Sequence, residues 1–283
     1  MGINFSSIIP TNSGLLPISL LSTDNLITFC TPGEHINVNY MCDSFQNKTN
    51  IIRIFNLNTE PNIRINVTNN YSIKVSADQL ILTTTKKQIN DINDCSWKKA
   101  HDITINDNCI IKKFTMKSTS DIIKINEITY ASNLDRILES SESIQKRYLQ
   151  KLFDKYATIV SDKIFLSLYH IDEIQREQIH ILLLSFGIIS NLTIDGQIYI
   201  DNYLAVFKDK INFSNKKQDT INEIYNKNEI NYPLDLLNQY IILPVISKDY
   251  LVNDDTMYQV LLSANNNEDN SFVANGFVLK AVS

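Results

Sequence analysis

From Ile51 to Thr85 the chain repeats one pattern. Short β-branched runs alternate with Asn-rich breaks: Ile51-Ile52-Arg53-Ile54-Phe55, Ile63-Arg64-Ile65-Asn66-Val67, Tyr71-Ser72-Ile73-Lys74-Val75 and Leu80-Ile81-Leu82. Runs of this kind bury one face of a strand, and the polar breaks between them turn the chain back on itself, so the segment reads as strands joined by hairpins. The same texture returns from Tyr240 to Ser283, broken by the polar loop Ala264–Asn270, which has turn chemistry and no apolar anchor.

Between these two stretches the period changes. Ile144, Tyr148, Leu152 and Tyr156 recur every four residues, and Ile171, Ile174, Ile179, Leu182, Leu183 and Phe186 mark a second helical face with Gly187 as its stop. Ile194, Ile198, Ile200 and Tyr203-Leu204-Ala205-Val206-Phe207 then read as short strands around the turn dipeptide Asp195-Gly196. A β fold therefore brackets an α+β insert. The expected boundaries are an N-terminal arm at 1–14, β segments at 15–115 and 239–283, and the insert at 116–238.

The length of 283 residues suits two cores, and 43% hydrophobic residues with only 6 Gly and 6 Pro exclude a disordered or fibrous chain. A net charge of -5 and a pI near 5.4 disfavour strong capture of nucleic-acid phosphates. No apolar run is long enough to span a bilayer, and Met1-Gly2-Ile3-Asn4-Phe5 lacks the basic start of a secretion signal, so the expectation is a soluble intracellular protein. Met1-Gly2 followed by Ser6 and Ser7 also matches a myristoylation signal, a match short enough to arise by chance. Cys30, Cys42, Cys95 and Cys109 form no Cys-x-x-Cys pair, so neither a zinc site nor a redox motif is read. The sequons at Asn4, Asn47, Asn66, Asn70, Asn191 and Asn212 follow from an Asn- and Ser/Thr-rich composition.

Four segments, in order, resemble an intein, the self-splicing Hint family. Leu20-Leu21-Ser22-Thr23-Asp24-Asn25-Leu26-Ile27 resembles the intein start. Val75-Ser76-Ala77-Asp78-Gln79-Leu80-Ile81-Leu82-Thr83, followed by Trp97-Lys98-Lys99-Ala100, resembles the Thr-x-x-His block. Tyr148–Ala157 looks like a decayed LAGLIDADG endonuclease helix. Asn270–Ala281, with Phe-Val-Ala-Asn-Gly-Phe-Val at its centre, resembles the C-terminal block and is the most specific of the four. The resemblance implies a mainly β, horseshoe-like Hint splicing domain with an inserted α+β half-LAGLIDADG domain.

The resemblance also implies lost chemistry. Splicing needs an activated thiol or hydroxyl at the first intein position, which falls on Leu20, with Ser19 a poor substitute. Ser76 keeps the hydroxyl of the Thr-x-x-His block, but Gln79 stands for the His and cannot carry a proton. The penultimate His, the cyclising Asn and the downstream nucleophile correspond to Lys280, Ala281 and Val282, and Gln259 falls where an Asp is usual. In the endonuclease segment the metal-binding carboxylate corresponds to Tyr156, while Asp154 keeps a supporting position and Lys151 replaces a small packing residue. No cofactor and no metal are expected.

The leading reading is an inactive intein-derived protein kept as a structural or interaction module with protein partners; the Asn/Ile/Lys-rich composition suggests an AT-rich genome, inteins of this flavour occur in large DNA viruses and some lower eukaryotes, and the expectation is a virus-borne structural role in the virion. A non-cleaving DNA-binding protein is the alternative. Residual splicing or self-cleavage through Ser19 or Ser22 is the third.

Overall fold

The computed structural model describes residues 2–11, 14–21, 26–28, 48–57, 62–87, 94–112, 124–228, 240–251, 257–262 and 271–280. The chain divides into a β unit (Met1–Asn12, Leu16–Lys112 and Leu237–Ser283) and an α+β unit (Ser13–Leu15 and Lys113–Leu236).

The first strands of the β unit are β1 (Ile3–Asn4) and β2 (Ile8–Thr11); β3 (Gly14–Pro17) begins among residues grouped with the other unit. Then come β4 (Leu26–Thr28), β5 (Lys48–Leu57), β6 (Asn62–Val67), β7 (Ser72–Ser76), β8 (Leu80–Thr84), β9 (Cys95–Lys99) and β10 (Asn108–Lys112). The strands follow from alternation: Ile63, Ile65 and Val67 in β6 and Ile73 and Val75 in β7 are buried, while Arg64, Asn66, Ser72 and Lys74 between them are half-buried. Asn69 and Asn70, at φ 66° and 59°, turn β6 into β7, a backbone that Asn tolerates better than most residues.

Residues 2–11 are not an arm outside the fold. Ile3 pairs with both Val75 and Tyr258, so β1 is an interior strand between β7 and a later one, and Ile3, Ile8 and Ile9 are buried. An apolar strand with partners on both edges is held by ladder hydrogen bonds and burial together, which an N-terminal arm would lack.

In the α+β unit, α1 (Leu134–Leu138) and α2 (Glu142–Tyr156) lead to β11 (Ala157–Val160) and β12 (Lys163–Ser167). These are followed by α3 (Glu173–Ser185), β13 (Asn191–Leu192), β14 (Gln197–Ile200), α4 (Leu204–Lys210) and α5 (Lys217–Asn228). Among the described residues the four strands form one antiparallel sheet in the order β11-β12-β14-β13. Helix α2 buries Ile144, Gln145, Tyr148, Leu149, Leu152 and Phe153 on one stripe, the spacing of a helix with one face in a core. Asp172 caps α3 by accepting the Gln175 amide at 2.7 Å, and Gly187 follows its end at φ 75°.

Tyr203–Phe207 is not a strand: Leu204–Lys210 is helix α4, with Leu204, Ala205, Val206 and Phe207 all buried. A short apolar run reads the same at either period, so its surroundings decide. Ile174 is likewise solvent-facing rather than on the packed face of α3.

His180 of α3 is fully buried, its Nδ1 sharing a hydrogen bond with Ser190 Oγ at 3.2 Å. Burial pushes the imidazole down to about 3. The unfolded chain, with an ordinary imidazole, binds the proton that the folded one refuses. Stability is therefore full above about pH 6.5 and falls as pH drops below it, by about 2 kcal/mol at pH 5. Unfolding free energies from urea titrations at pH 7 and pH 5 are expected to differ by that amount, and His180→Leu is expected to remove most of the difference; an unchanged pH dependence in His180→Leu would contradict it.

After the α+β unit the chain returns to the β unit through β15 (Tyr240–Leu251), β16 (Met257–Leu262), β17 (Ser271–Ala274) and β18 (Phe277–Lys280). The unit is mainly antiparallel, with neighbours in the order β17-β18-β8-β10-β15-β6-β7-β1-β16-β5-β4-β2 and β9 beside β8. No helix among the described residues is long and apolar enough to cross a membrane.

Candidate functional site

Strand β7 ends at Ser76, and the chain turns through Ala77 and Asp78 to Gln79, whose amide donates to the Ser76 carbonyl at 3.0 Å. This turn is fixed from outside. Ala100 and His101 donate their amides to the Gln79 and Ala77 carbonyls at 2.9 and 3.1 Å, and Lys99 pairs with Asp78 at 2.9 Å. His101 meets the turn on an exposed side, with Nδ1 3.0 Å from the Ala77 carbonyl oxygen and Nε2 3.1 Å from Asp102.

Two distant parts of the sequence converge here. The Ser76 amide donates to the Gly2 carbonyl at 2.8 Å, and the Gln79 side chain donates through Nε2 to the Lys280 carbonyl at 2.9 Å and to the Leu80 carbonyl at 3.1 Å. Lys280 ends β18, whose Leu279 pairs with Ile81 of β8, and its ammonium lies 6.0 Å from the centre of the Trp97 ring. Ile3 pairs with Tyr258 and Asn4 with Met257 of the strand that also carries Gln259. Gly2, Ser76, Gln79 and Lys280 share one neighbourhood. Ala281 and Val282 lie outside the described residues, as do Ser22–Asn25 of the segment matched to the intein start.

Leu20 is not the residue brought to Ser76. It closes a 3-10 turn whose Ile18 and Ser19 amides donate to Ser7 and Phe5, and its side chain is 55% exposed. Gly2 holds the position against Ser76 because β1 is the strand paired to β7.

Sequence reasoning also assigned no role to Asn275. It sits with Gly276 in the turn between β17 and β18 at φ 49°, and its side chain ties β2 and β7 to that hairpin. Its Oδ1 accepts the Ile8 amide at 2.7 Å, its Nδ2 donates to the Ser72 carbonyl at 3.2 Å, and its own amide donates to the Ile8 carbonyl at 2.9 Å.

The chemistry available at this place is narrow. Gln79 can donate a hydrogen bond but transfers no proton, and Gly2 offers no side chain. The Ser76 hydroxyl is fully buried, and no described group hydrogen-bonds to it. Cys109 is buried and Cys95 half-buried; burial, helped by Asp94, pushes the Cys95 thiol up to about 11, and burial raises that of Cys109 further. Both are poor nucleophiles. Cys30 and Cys42 lie outside the described residues.

The end of α2 is a structural joint. The Asp154 carboxylate accepts the Ser214 amide at 3.0 Å and the Ser214 hydroxyl, while Lys217 caps the helix by donating to the Phe153 and Asp154 carbonyls at 3.3 and 2.7 Å. Burial lowers the Lys217 ammonium, opposed by the Asp154 charge. Tyr156 packs its ring on His170 at 4.3 Å and edge-on to Tyr130 at 5.4 Å, and burial with the neighbouring Tyr156 raises Tyr148 to about 12. Lys151 is half-buried on the same helix. Among the described residues, no group of three or more His, Cys, Asp or Glu is placed to hold a metal ion.

No protein-family model matches this chain, and no curated protein matches it. Solved structures similar to it include a DnaB intein from Synechocystis sp. PCC 6803, at 9% identity, covering 100% of this chain and 99% of that one with a TM-score of 0.40. The Ssp DnaB mini-intein variant M86 is similar at 10% identity over 99% of this chain and 92% of that one, also at 0.40. Its G-1F mutant gives 10% identity, 100% and 99% coverage, and a TM-score of 0.39.

Proposed function

We propose that this chain is a catalytically inactive, intein-derived scaffold: a β unit descended from a splicing domain and an α+β unit descended from half of a LAGLIDADG endonuclease, kept for its folded surface. The observation that carries the reading is the meeting of Gly2, Ser76, Gln79 and Lys280 at one turn. Splicing requires both ends of the excised segment to reach one set of catalytic groups, and here two distant segments reach a set that cannot perform the steps. Gly2, in place of Leu20, stands at the first position and has no nucleophile. Ser76 and Gln79 stand for the activating Thr and His, and the amide of Gln79 leaves only hydrogen bonding to the Lys280 carbonyl. Lys280, Ala281, Val282 and Gln259 stand at the remaining splicing positions and supply no cyclising amide and no general base.

The endonuclease ancestry rests on the sequence resemblance of Tyr148–Ala157, and the aromatic packing of Tyr156 and the anchoring of Asp154 to Ser214 fit the loss of its chemistry. The test is mass spectrometry of the chain placed between two foreign folded domains. One unprocessed mass after prolonged incubation, with and without added thiol, is expected. Ligated flanks, or release of either flank, would overturn the proposal.

A further inference from the structure

The α+β unit contains a cavity of about 240 Å³, lined in part by Tyr130, Tyr148, Tyr156, His170, Asp135 and Gln175. The Tyr130 and Tyr156 rings stand at 89° with centres 5.4 Å apart, making a right-angled corner, and His170 backs Tyr156 at 4.3 Å. Tyr148 is buried at the same place. The lining includes one carboxylate, Asp135, and no lysine or arginine.

These groups select for one sign of charge. The faces of aromatic rings carry negative potential, and Asp135 adds a full negative charge, so an anion between them meets repulsion. One ammonium already lies at this corner: that of Lys155, 5.6 Å from the centre of the Tyr130 ring. A primary ammonium or a guanidinium entering such a place gives up water and needs several hydrogen-bond acceptors in return. A methylated ammonium is weakly hydrated, keeps its charge and offers methyl groups to the rings.

We propose that this cavity binds a methylated ammonium group, carried either by a choline-like small molecule or by a trimethylated lysine side chain. The proposal stands on the α+β unit alone and is independent of the scaffold reading above.

The full chain is titrated with choline, with a short peptide containing trimethyllysine, and with 3,3-dimethyl-1-butanol, which has the shape of choline without its charge. Binding of at least one cationic probe about tenfold more tightly than the neutral alcohol is expected. Tyr156→Leu and Tyr130→Leu, checked for native melting behaviour, keep apolar volume but remove the ring face and are expected to lose most of that preference. Tyr156→Phe keeps it, and Asp135→Asn weakens both cationic probes. Binding of the peptide alone assigns the ligand to a modified protein tail, and binding of choline alone assigns it to a small molecule. Equal affinity for the alcohol, no binding of either cation, or undiminished binding by folded Tyr130→Leu overturns the proposal.

Discussion

Phe153→Ala is expected to destabilise the α+β unit by about 4 kcal/mol, the largest single effect anticipated in this protein. Phe153 is fully buried near the end of α2, its ring 4.8 Å from Phe207 of α4 and 6.4 Å from Phe213, which themselves lie 5.2 Å apart. Removing the ring leaves a cavity between elements whose mutual packing is aromatic, and the neighbours cannot collapse into it without moving α2 or α4. The Phe153 carbonyl is also one of the two that Lys217 caps, so a shift of the helix end loosens that contact too. Phe153→Leu retains most of the volume and is expected to cost about 1.5 kcal/mol or less. Urea unfolding, read with hydrogen exchange of the α2 and α3 amides, measures both. Equal losses for Ala and Leu would contradict the packing account.

Asn275→Ala is expected to cost the β unit about 3 kcal/mol. Two causes add. The Ile8 amide loses its acceptor and the Ser72 carbonyl loses a donor, worth about 2 kcal/mol where the groups are sheltered from water. Alanine must also adopt the left-handed backbone at φ 49°, which costs about 1 kcal/mol more. Asn275→Gly separates them, because glycine accepts that backbone freely and loses only the side-chain bonds. The glycine variant is expected to be about 1 kcal/mol more stable than the alanine variant and to expose the Ile8 amide to exchange equally. A loss below 1 kcal/mol in both would show that water replaces the side chain.

Much of the local structure was legible in the residues. The alternation in Ile63–Val75 appears as the β6–β7 hairpin, and the four-residue spacing of Ile144, Tyr148 and Leu152 appears as α2. Part of the candidate site was legible as well, since Ser76, Gln79 and Lys280 were singled out from sequence and share one neighbourhood. Other features were not. Ser161 and Asp162 turn β11 into β12 at φ 47° and 64°, without the glycine that marks such turns, and Tyr203–Phe207 carries no periodicity that separates helix from strand.

Sequence by itself determined such elements as the β6–β7 hairpin and α2, because side-chain alternation, helical spacing and turn residues act within a few positions of the chain. Tertiary structure alone decided that Gly2 rather than Leu20 meets Ser76, that Asn275 joins β2 and β7 to the last hairpin, and that Tyr130 closes a corner with Tyr156. The physical reason lies in the backbone. Strands pair through amide and carbonyl groups that every residue carries, and a strand as short as Ile3–Asn4 has too little pattern of its own to name its partner. Its neighbours were settled by the burial of Ile3 between Val75 and Tyr258, a competition among all strands that no single segment records.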